Sequence, residues 1–391
     1  MTNKRKYLIW AALAALLIAA VILILRPFGR DNDAPTLRDE MTAPNGDTEK
    51  QPDDDPEPPA DDANGSQETD PDTTENDPGT EQPEEPPEES APSDKNEDVP
   101  RPSPAPDTTA PSPITKPVPD ENGMIELDGT WIKLPSALDI KSIKGFADKL
   151  ISLKADYLSG ASSVYYSVIP DKSFYASDKI DGALDHTEMT RQLSQQLSGW
   201  ICIELSDLLS LGDYYSTDMH WRQEKIVPVA QRVAKTLGFS LSASDFTTKT
   251  RSGFSGDYHR YIGNVTEDIS WLESRYTSAS VCDNYQRPQS TTVYDTSLLD
   301  TISPYDIYLG GSTPVVTVTN PDSPADKHLV IFRDSFGSSL APLLLGGYGK
   351  VTLVDIRYMV SSLLPQYVDF TGADVLFLYS AVVVNNSNLL R

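Results

Sequence analysis

The most apolar stretch of the chain lies close to its N-terminus, where an unbroken apolar run extends from Tyr7 to Leu25. At a helical rise of about 1.5 Å per residue, this run reaches roughly 28 Å, close to the hydrocarbon thickness of a bilayer. Lys4, Arg5 and Lys6 precede it, and no comparably dense basic cluster follows. Because basic residues stay on the cytoplasmic side, the pattern predicts a single transmembrane helix in residues 1–30, with the rest of the chain outside the cytoplasm.

A cleaved signal peptide is the alternative interpretation of the same run. The apolar core of a signal peptide is about 7–15 residues long and ends at a site with small residues two positions apart. The run here is longer, and the segment from Leu25 to Arg30 contains no such site. We therefore expect the helix to remain as an anchor.

Residues 31–122 are crowded with Asp, Glu, Pro, Thr and Ser and contain almost no large apolar residues. Such a segment cannot bury enough surface to offset the entropy cost of ordering, so it is predicted to be a disordered linker. The chain has a formal net charge of −26, and Asp31 to Asp120 contains 27 acidic against 5 basic residues. Because like charges and proline extend a chain, the linker is expected to span on the order of 100 Å.

Residues 123–391 alternate between strand-like and helix-like patterns. This alternation predicts one α/β domain with a mostly parallel sheet covered by helices. The first predicted elements are helices at Ile140–Tyr157, Glu188–Leu197 and Glu224–Leu237, and strands at Val164–Ile169 and Trp200–Glu204.

Near the C-terminus, a strand, a turn, a helix and a strand follow within about thirty residues, which is the pattern of a βαβ unit. The almost entirely apolar first strand is typical of a strand that is buried on both faces. The predicted elements are the strand His328–Phe332, the turn Arg333–Gly337, the helix Ser338–Leu345, the strand Lys350–Ile356 and a final strand Asp374–Tyr379. Between Asn264 and Pro321 the periodicity is weak, and we interpret this segment as a large insertion over one rim of the sheet.

The charge and cysteine content of the domain restrict its partners and its covalent structure. The domain is mildly acidic and has no basic patch or stripe, so nucleic acid is not expected as a partner. An extracytoplasmic location permits a disulfide between Cys202 and Cys282, the two cysteines of the chain. Cys202 lies in an apolar stretch, however, and we expect it to be a buried free thiol.

The turn after the buried strand is where an α/β protein presents reactive groups. Ser335 lies in this turn, and backbone N–H groups at the start of the following helix would stabilise an oxyanion beside it. A serine hydroxyl needs an adjacent base, usually a histidine that a carboxylate orients. Among the four histidines, His220 has Asp218 two positions ahead of it, a spacing that lets both side chains leave the same side of an extended loop. The residues are therefore compatible with a Ser-His-Asp triad, although the spacing alone does not establish one.

Asp-x-His and Asp-Ser are common patterns, so other interpretations stay open. In one of them Ser335 caps a helix, Asp218 lies near the N-cap of the next helix and His220 packs against Trp221. In another, Asp218, His220 and His259 bind zinc, but no second histidine lies at metal-ligand spacing and we expect no metal.

Two longer segments carry a family resemblance. Leu211–Val233, with Asp-Tyr-Tyr-Ser-Thr-Asp-Met-His-Trp, resembles the element that names the DHHW family. His328–Tyr358, with Arg-Asp-Ser-Phe-Gly-Ser-Ser, is similar to the second signature of that family. The family is grouped with the AlgX/AlgJ-like proteins of the SGNH hydrolase superfamily, which O-acetylate exported polysaccharides. The resemblance extends over most of the chain from about Gly123 to Arg391.

The resemblance implies an SGNH-hydrolase-like three-layer α/β fold. It also implies that Ser335 is the nucleophile, His220 the general base and Asp218 its orienting carboxylate. Met219 stands where the family name has a histidine, and Arg333 stands where many SGNH proteins have glycine. Neither departure removes a catalytic group.

Further residues are candidates for contacts with the reacting groups. Candidate oxyanion donors beside the Ser335 N–H are Gly337, Tyr379 and Asn386. Candidate aromatic contacts to a sugar ring are Tyr214, Tyr215 and Trp221, although such aromatics often pack in the core instead.

The implied function is that of a membrane-anchored, extracytoplasmic serine O-acetyltransferase, which acts on a cell-surface or exported polysaccharide and needs no cofactor. Because the acetyl group must cross the membrane, the resemblance also implies a membrane-bound O-acyltransferase as a partner. Two alternatives stay open at this point. One is an acetyl esterase, in which water intercepts the intermediate, and the other is a catalytically idle glycan-binding or scaffold protein.

Overall fold

The computed structural model describes residues 115–324 and 326–391. The predicted anchor and most of the predicted linker lie outside the described residues. Among the helices of the described part, none is long and apolar enough to cross a bilayer. The end of the predicted linker contacts the domain, since Lys116 Nζ lies 3.2 Å from the carbonyl oxygen of Ile180 and 3.0 Å from Asp181 Oδ1.

Strands and short helices alternate along the described residues. The strands are β1 (Met124–Leu127), β2 (Thr130–Lys133), β3 (Ser163–Ile169), β4 (Ile201–Cys202), β5 (Thr247–Phe254), β6 (Glu267–Glu273), β7 (Val281–Asn284), β8 (Val315–Thr319), β9 (His328–Arg333), β10 (Lys350–Val354) and β11 (Asp374–Ser380). The α-helices are α1 (Ile140–Tyr157), α2 (His186–Gln196), α3 (Val227–Thr236), α4 (His259–Ile262), α5 (Arg275–Ala279), α6 (Ser335–Leu340), α7 (Leu364–Tyr367) and α8 (Ala381–Val384).

The central sheet has the strand order β4-β3-β11-β9-β10-β8-β7. In this order, all neighbouring strands from β4 to β10 pair in parallel. At the other side of the sheet, β8 pairs antiparallel with β10, and β7 pairs antiparallel with β8. The prediction of an α/β domain with a mostly parallel sheet is therefore confirmed. Because β3, β9 and β11 are parallel neighbours, the segments that follow them meet at one edge of the sheet.

Side chains of β9 and β11 alternate between two buried faces. Ile331 and Leu378 lie in the same core cluster as the apolar side of α3. On the other face, the rings of Phe332 and Phe377 stack at 4.7 Å, and Tyr379 meets Phe146 of α1 edge-on at 5.5 Å. Helices thus cover both faces of the sheet, which gives three layers.

The helices agree with the predicted ones except at their ends. The helix α1 has the predicted bounds, and the Asp139 side chain caps its N-terminus. The helix α3 begins at Val227 rather than at Glu224, because Pro228 occupies its first turn and a separate 3-10 turn precedes it. The predicted helix Ser338–Leu345 begins earlier, at Ser335, because the Asp334 side chain caps it there. A 3-10 helix, Ala341–Gly347, follows it.

The segment from Asn264 to Pro321 is more ordered than its weak periodicity indicated. It contains β6, which pairs with β5 in a hairpin, and β7 and β8, which widen the central sheet. Strands of four and five residues, as β7 and β8 are, are too short to give a clear alternation. The interpretation of the segment as an insertion over one rim of the sheet was therefore wrong for β7 and β8, which belong to the sheet itself.

The two cysteines lie at opposite edges of the sheet. Cys202 belongs to β4 and Cys282 to β7, and both are free thiols. Cys202 is exposed, so the expectation of a buried thiol at this position was wrong, because β4 is a two-residue edge strand with both side chains exposed. Cys282 is the buried cysteine.

Candidate active site

The turn between β9 and α6 holds Ser335 at the first position of a helix. The Asp334 carboxylate accepts hydrogen bonds from the backbone N–H of Phe336, at 3.1 Å, and of Ser380, at 2.7 Å. One side chain thus fixes the start of α6 and ties it to the end of β11. Ser335 is half-buried, whereas its two chain neighbours are buried.

His220 lies between Ser335 and Asp218. Its Nε2 is 2.7 Å from Ser335 Oγ, and its Nδ1 is 2.5 Å from Asp218 Oδ1. With Nδ1 protonated and bonded to the carboxylate, Nε2 is free to accept the serine proton. The described structure therefore brings together the three residues that the sequence pointed to, in the geometry that nucleophilic serine chemistry requires.

The Asp218 carboxylate is fully buried but well supplied with donors. It accepts a hydrogen bond from the backbone N–H of His220 and another from the backbone N–H of Asp257, both at 2.8 Å. Burial by itself raises the pKa of Asp218, but the charge and hydrogen bond of His220 and these two N–H groups outweigh it and hold the pKa below its usual range. Asp218 is therefore ionised at neutral pH and orients the imidazole.

The loop that carries Asp218 and His220 is held by two charged side chains. The Glu267 carboxylate of β6 accepts hydrogen bonds from the Ser216 N–H at 3.1 Å and the Thr217 N–H at 2.7 Å. It also pairs with Arg222. From the opposite side, Lys172 donates to carbonyl oxygens of the same loop.

Gly256 packs directly beneath this loop. A Cβ atom at position 256 would lie 2.3 Å from the carbonyl oxygen of Thr217 and 2.5 Å from Asp218 Cβ. The close approach of the two backbones therefore requires glycine.

Tyr305 covers one face of the His220 ring. The two rings are parallel within 12° and 3.9 Å apart between centroids. The Tyr305 hydroxyl donates to Ser339 Oγ at 2.8 Å, and the Trp221 indole N–H donates to the same oxygen at 2.8 Å. A residue of the 264–321 segment thus restrains the imidazole from above.

The aromatic residues that flank the base are not placed to contact a sugar. Trp221 and Tyr215 have 0 % exposed surface, and Tyr214 has 2 %. The Tyr214 hydroxyl donates to the carbonyl oxygen of Pro170, and the Tyr215 ring packs against Phe254. Of the two possibilities that the sequence left open for these aromatics, the structure therefore shows packing in the core.

The predicted oxyanion donors are engaged in other hydrogen bonds or are fully buried. The Gly337 N–H donates to the carbonyl oxygen of Asp334, and a Cβ atom at position 337 would lie 2.6 Å from Arg333 Cβ. Tyr379 is fully buried in the layer of α1, and among the described residues its hydroxyl has no hydrogen-bond partner. The Asn386 amide donates to the carbonyl oxygen of Val382.

The remaining histidines have other surroundings. His186 is buried at the start of α2, and His259 Nδ1 is 3.0 Å from the carbonyl oxygen of Gly256. His328 begins β9, at the end of the strand opposite to Ser335, and burial lowers its pKa to about 4. No cluster of three or more metal-ligating side chains is present in the part of the chain that the structure describes.

Several residues of the site were missed at the sequence level. Asp334 carried a signal, because aspartate before a helix is a preferred N-cap. Lys172 and Glu267 bind mainly backbone atoms of a distant loop, and Tyr305 comes from a segment without periodicity, so nothing local marked these three residues.

Comparison with solved structures identifies proteins of similar architecture. A DHHW family protein from Eubacterium siraeum aligns with a TM-score of 0.55 and 18% identity over 68% of this chain and 95% of its own. Bacillus cereus PatB1 aligns with a TM-score of 0.52 and 18% identity over 68% of this chain and 97% of its own. The structure of PatB1 with a sulfonyl adduct gives the same TM-score at 16% identity.

This chain has the fold of these proteins. The shared region is nearly the whole length of each neighbour, and at this level of identity the likeness concerns the fold alone. A scan against protein-family models and a search of curated proteins gave no match.

Proposed function

We propose that this protein is a serine acyltransferase that O-acetylates a cell-surface or exported polysaccharide. The observation that carries the proposal is the continuous hydrogen-bonded arrangement of Asp218, His220 and the half-buried Ser335, at 2.5 and 2.7 Å. The resemblance of the two sequence signatures to those of O-acetyltransferases supports acetyl as the transferred group.

In the proposed reaction, Ser335 Oγ attacks the carbonyl carbon of an acetyl donor while His220 Nε2 takes the hydroxyl proton. The tetrahedral intermediate collapses, and the leaving group departs with that proton. The result is an acetyl ester on Ser335. A sugar hydroxyl then gives its proton to His220 and attacks the ester, and Ser335 leaves with the proton restored.

The N-terminal start of α6 supports the charge that develops in this reaction. The first N–H groups of a helix lack intrahelical partners, so the Ser335 N–H is placed to donate to the oxyanion. Asp334 keeps this turn in register with β11. Asp218 stabilises the imidazolium that forms when His220 takes the proton.

The proposal includes an extracytoplasmic location. The apolar run from Tyr7 to Leu25 acts as the membrane anchor, and the acidic linker holds the domain away from the bilayer. A membrane-bound O-acyltransferase would supply the acetyl group from the cytoplasmic side.

An acetyl esterase is the second candidate, and the partial exposure of Ser335 favours it. Water that reaches the acetyl ester on Ser335 would release acetate in place of transfer to a sugar. The two functions share every step up to the intermediate, so they differ only in the acceptor.

The experiment that tests the proposal measures acetyl release from a chromogenic acetyl ester by the full chain, with and without added polysaccharide. We expect release that Ser335→Ala abolishes, and acetyl on the polysaccharide if the protein is a transferase. Acetate as the sole product would make it an esterase.

A glycan-binding or scaffold protein with an idle site predicts a different result. Such a protein would bind polysaccharide equally well as wild type, Ser335→Ala and His220→Ala, and Ser335 would not react with a serine-directed fluorophosphonate. Reaction of Ser335 in the wild type and its loss in His220→Ala would exclude this alternative.

A further inference from the structure

Lys172 is a fully buried ammonium group beneath the loop that carries the proposed base. It lies shortly after β3, at the first position of a 3-10 turn, and only 1 % of its surface is exposed. Its Nζ donates to the carbonyl oxygens of Tyr215, at 2.8 Å, and Asp218, at 3.0 Å. These two carbonyls bracket the chain segment that turns the Asp218 carboxylate toward His220.

The charges around Lys172 stabilise its protonated form only in part. Asp218, Asp171 and Glu267 face it as negative groups, and Arg222 faces it as a positive one. The ring of Tyr258 lies 5.0 Å from Nζ, and the Tyr258 N–H donates to the carbonyl oxygen of Thr217 in the same loop. Burial outweighs the three carboxylates and lowers the pKa of Lys172 to about 8.

We propose that Lys172 is a positioning residue, whose charged side chain holds the loop of Asp218 and His220 in the geometry that activates Ser335. The inference rests on the proposed function of the triad and extends it to a residue that does not touch the reacting atoms. A charge-assisted hydrogen bond is roughly twice as strong as a neutral one, so the loop is held most firmly while the ammonium is protonated.

The protonation of Lys172 therefore sets an alkaline limit to the reactivity of Ser335. Above about pH 8 the side chain becomes a neutral amine, its bonds to the two carbonyls weaken, and Asp218 loses a nearby positive charge. The stability of the folded state changes with pH in the opposite direction to the reactivity of Ser335. Because the folded state releases this proton before the unfolded state does, the wild type gains stability relative to a variant without Lys172 as pH rises from about 8 toward 10.5.

The rate at which a fluorophosphonate labels Ser335 in the full chain measures this effect between pH 6 and pH 10. We expect the wild-type rate to fall above about pH 8. Lys172→Met should react about tenfold or more slowly at pH 7, since the loss of one charge-assisted bond is worth that much, and should show no alkaline fall. Lys172→Arg stays charged, so its rate should not fall toward pH 10.

Lys179→Met is the matched control, because Lys179 is exposed and its Nζ pairs with Asp128 at 3.4 Å. Its rate and pH profile should equal those of the wild type. Lys172→Met with the wild-type rate and the wild-type alkaline fall would overturn the inference and leave the proposed function intact.

A second readout separates the inference from the proposed function. The proton between Asp218 Oδ1 and His220 Nδ1 should give a far-downfield proton NMR resonance in the wild type, and this resonance should disappear or shift in Lys172→Met. If no protein is labelled but the resonance behaves in this way, the proposed chemistry fails and the positioning role stands. A resonance that is unchanged in Lys172→Met, or absent from the wild type, overturns the positioning role.

Discussion

At the scale of single residues, the proposed chemistry depends on how His220 is held between its neighbours. The carboxylate of Asp218 fixes the protonated nitrogen of the ring, and Tyr305 fixes its plane. Each contact makes a separate prediction, because the first is electrostatic and the second is a stacking contact between two rings.

The Asp218 carboxylate should contribute to stability in a pH-dependent way. Its folded pKa lies below the ordinary value of 3.8, so its contribution is present above that value and is lost as pH falls below it. We expect the difference in unfolding free energy between wild type and Asp218→Asn to shrink between pH 5 and pH 2. Denaturant titrations at several pH values measure it, with Asp148→Asn, an exposed residue of α1, as the control. A difference that does not change over this range would contradict the assignment.

Tyr305 should affect the reactivity of Ser335 through its ring and not through its hydroxyl. Tyr305→Leu removes the parallel face on His220, which is worth about 0.5–1.5 kcal/mol, and should slow fluorophosphonate labelling up to roughly tenfold. Tyr305→Phe keeps the face and loses only the bond to Ser339, so its labelling rate should stay within about threefold of wild type. Equal rates for both variants would show that the stacking contact has no part in the reaction.

At the scale of elements, the site is assembled where the ends of β9 and β11 meet the start of α6. Asp334 joins all three, because one carboxylate caps the helix and accepts from the Ser380 N–H. The loop of Asp218 and His220 then has to reach this edge, and Glu267 of β6 holds it from the hairpin side.

Replacing Asp334 should cost more unfolding free energy than replacing an ordinary helix-capping residue. Asp334→Ala leaves the buried Ser380 N–H without an acceptor as well as removing the cap, and should cost about 2–4 kcal/mol of unfolding free energy. Asp139→Ala removes the cap of α1 at a more exposed position and should cost about 1 kcal/mol. Denaturant unfolding of both variants makes the comparison, and equal losses would contradict the bridging role.

At the scale of the whole molecule, the elements that could be predicted from the sequence are those that local patterns of apolar residues determine. The bounds of α1 follow from its apolar spacing, and the core strands from their apolar runs. The contact between Ser335 and His220 was predicted from the two sequence segments that resemble the family signatures. The sequence did not decide between a buried and a sugar-binding Trp221, because its burial results from packing between segments far apart in the chain.

The same limit explains the residues that were missed. Lys172 binds backbone carbonyl oxygens, which every sequence has, so no partner side chain marks it. Tyr305 reaches His220 only because the 264–321 segment folds back over the site. Contacts of these two kinds leave no recognisable pattern in the sequence, so they can be found only in the folded structure.

The predicted anchor is a property of the full chain and can be tested on it. We expect the full chain to sediment with membranes and to resist extraction by alkaline carbonate, since a run of about nineteen apolar residues is long enough to span a bilayer. Removal of residues 1–30 should release it into the soluble fraction. Replacing Lys4, Arg5 and Lys6 by neutral residues should weaken the orientation and not the membrane binding. A full chain that carbonate extracts completely would contradict the anchor.

The central claim is that Ser335 forms a covalent acyl intermediate. The most direct measurement incubates the folded full chain with a chromogenic acetyl ester, quenches it with acid and locates acetyl by peptide mass spectrometry. The account predicts one acetyl group on the peptide that contains Ser335, its absence in Ser335→Ala, and its persistence in Ser338→Ala, a buried serine of the same helix. An unmodified Ser335 in the wild type, or the same modification in Ser335→Ala, would contradict it.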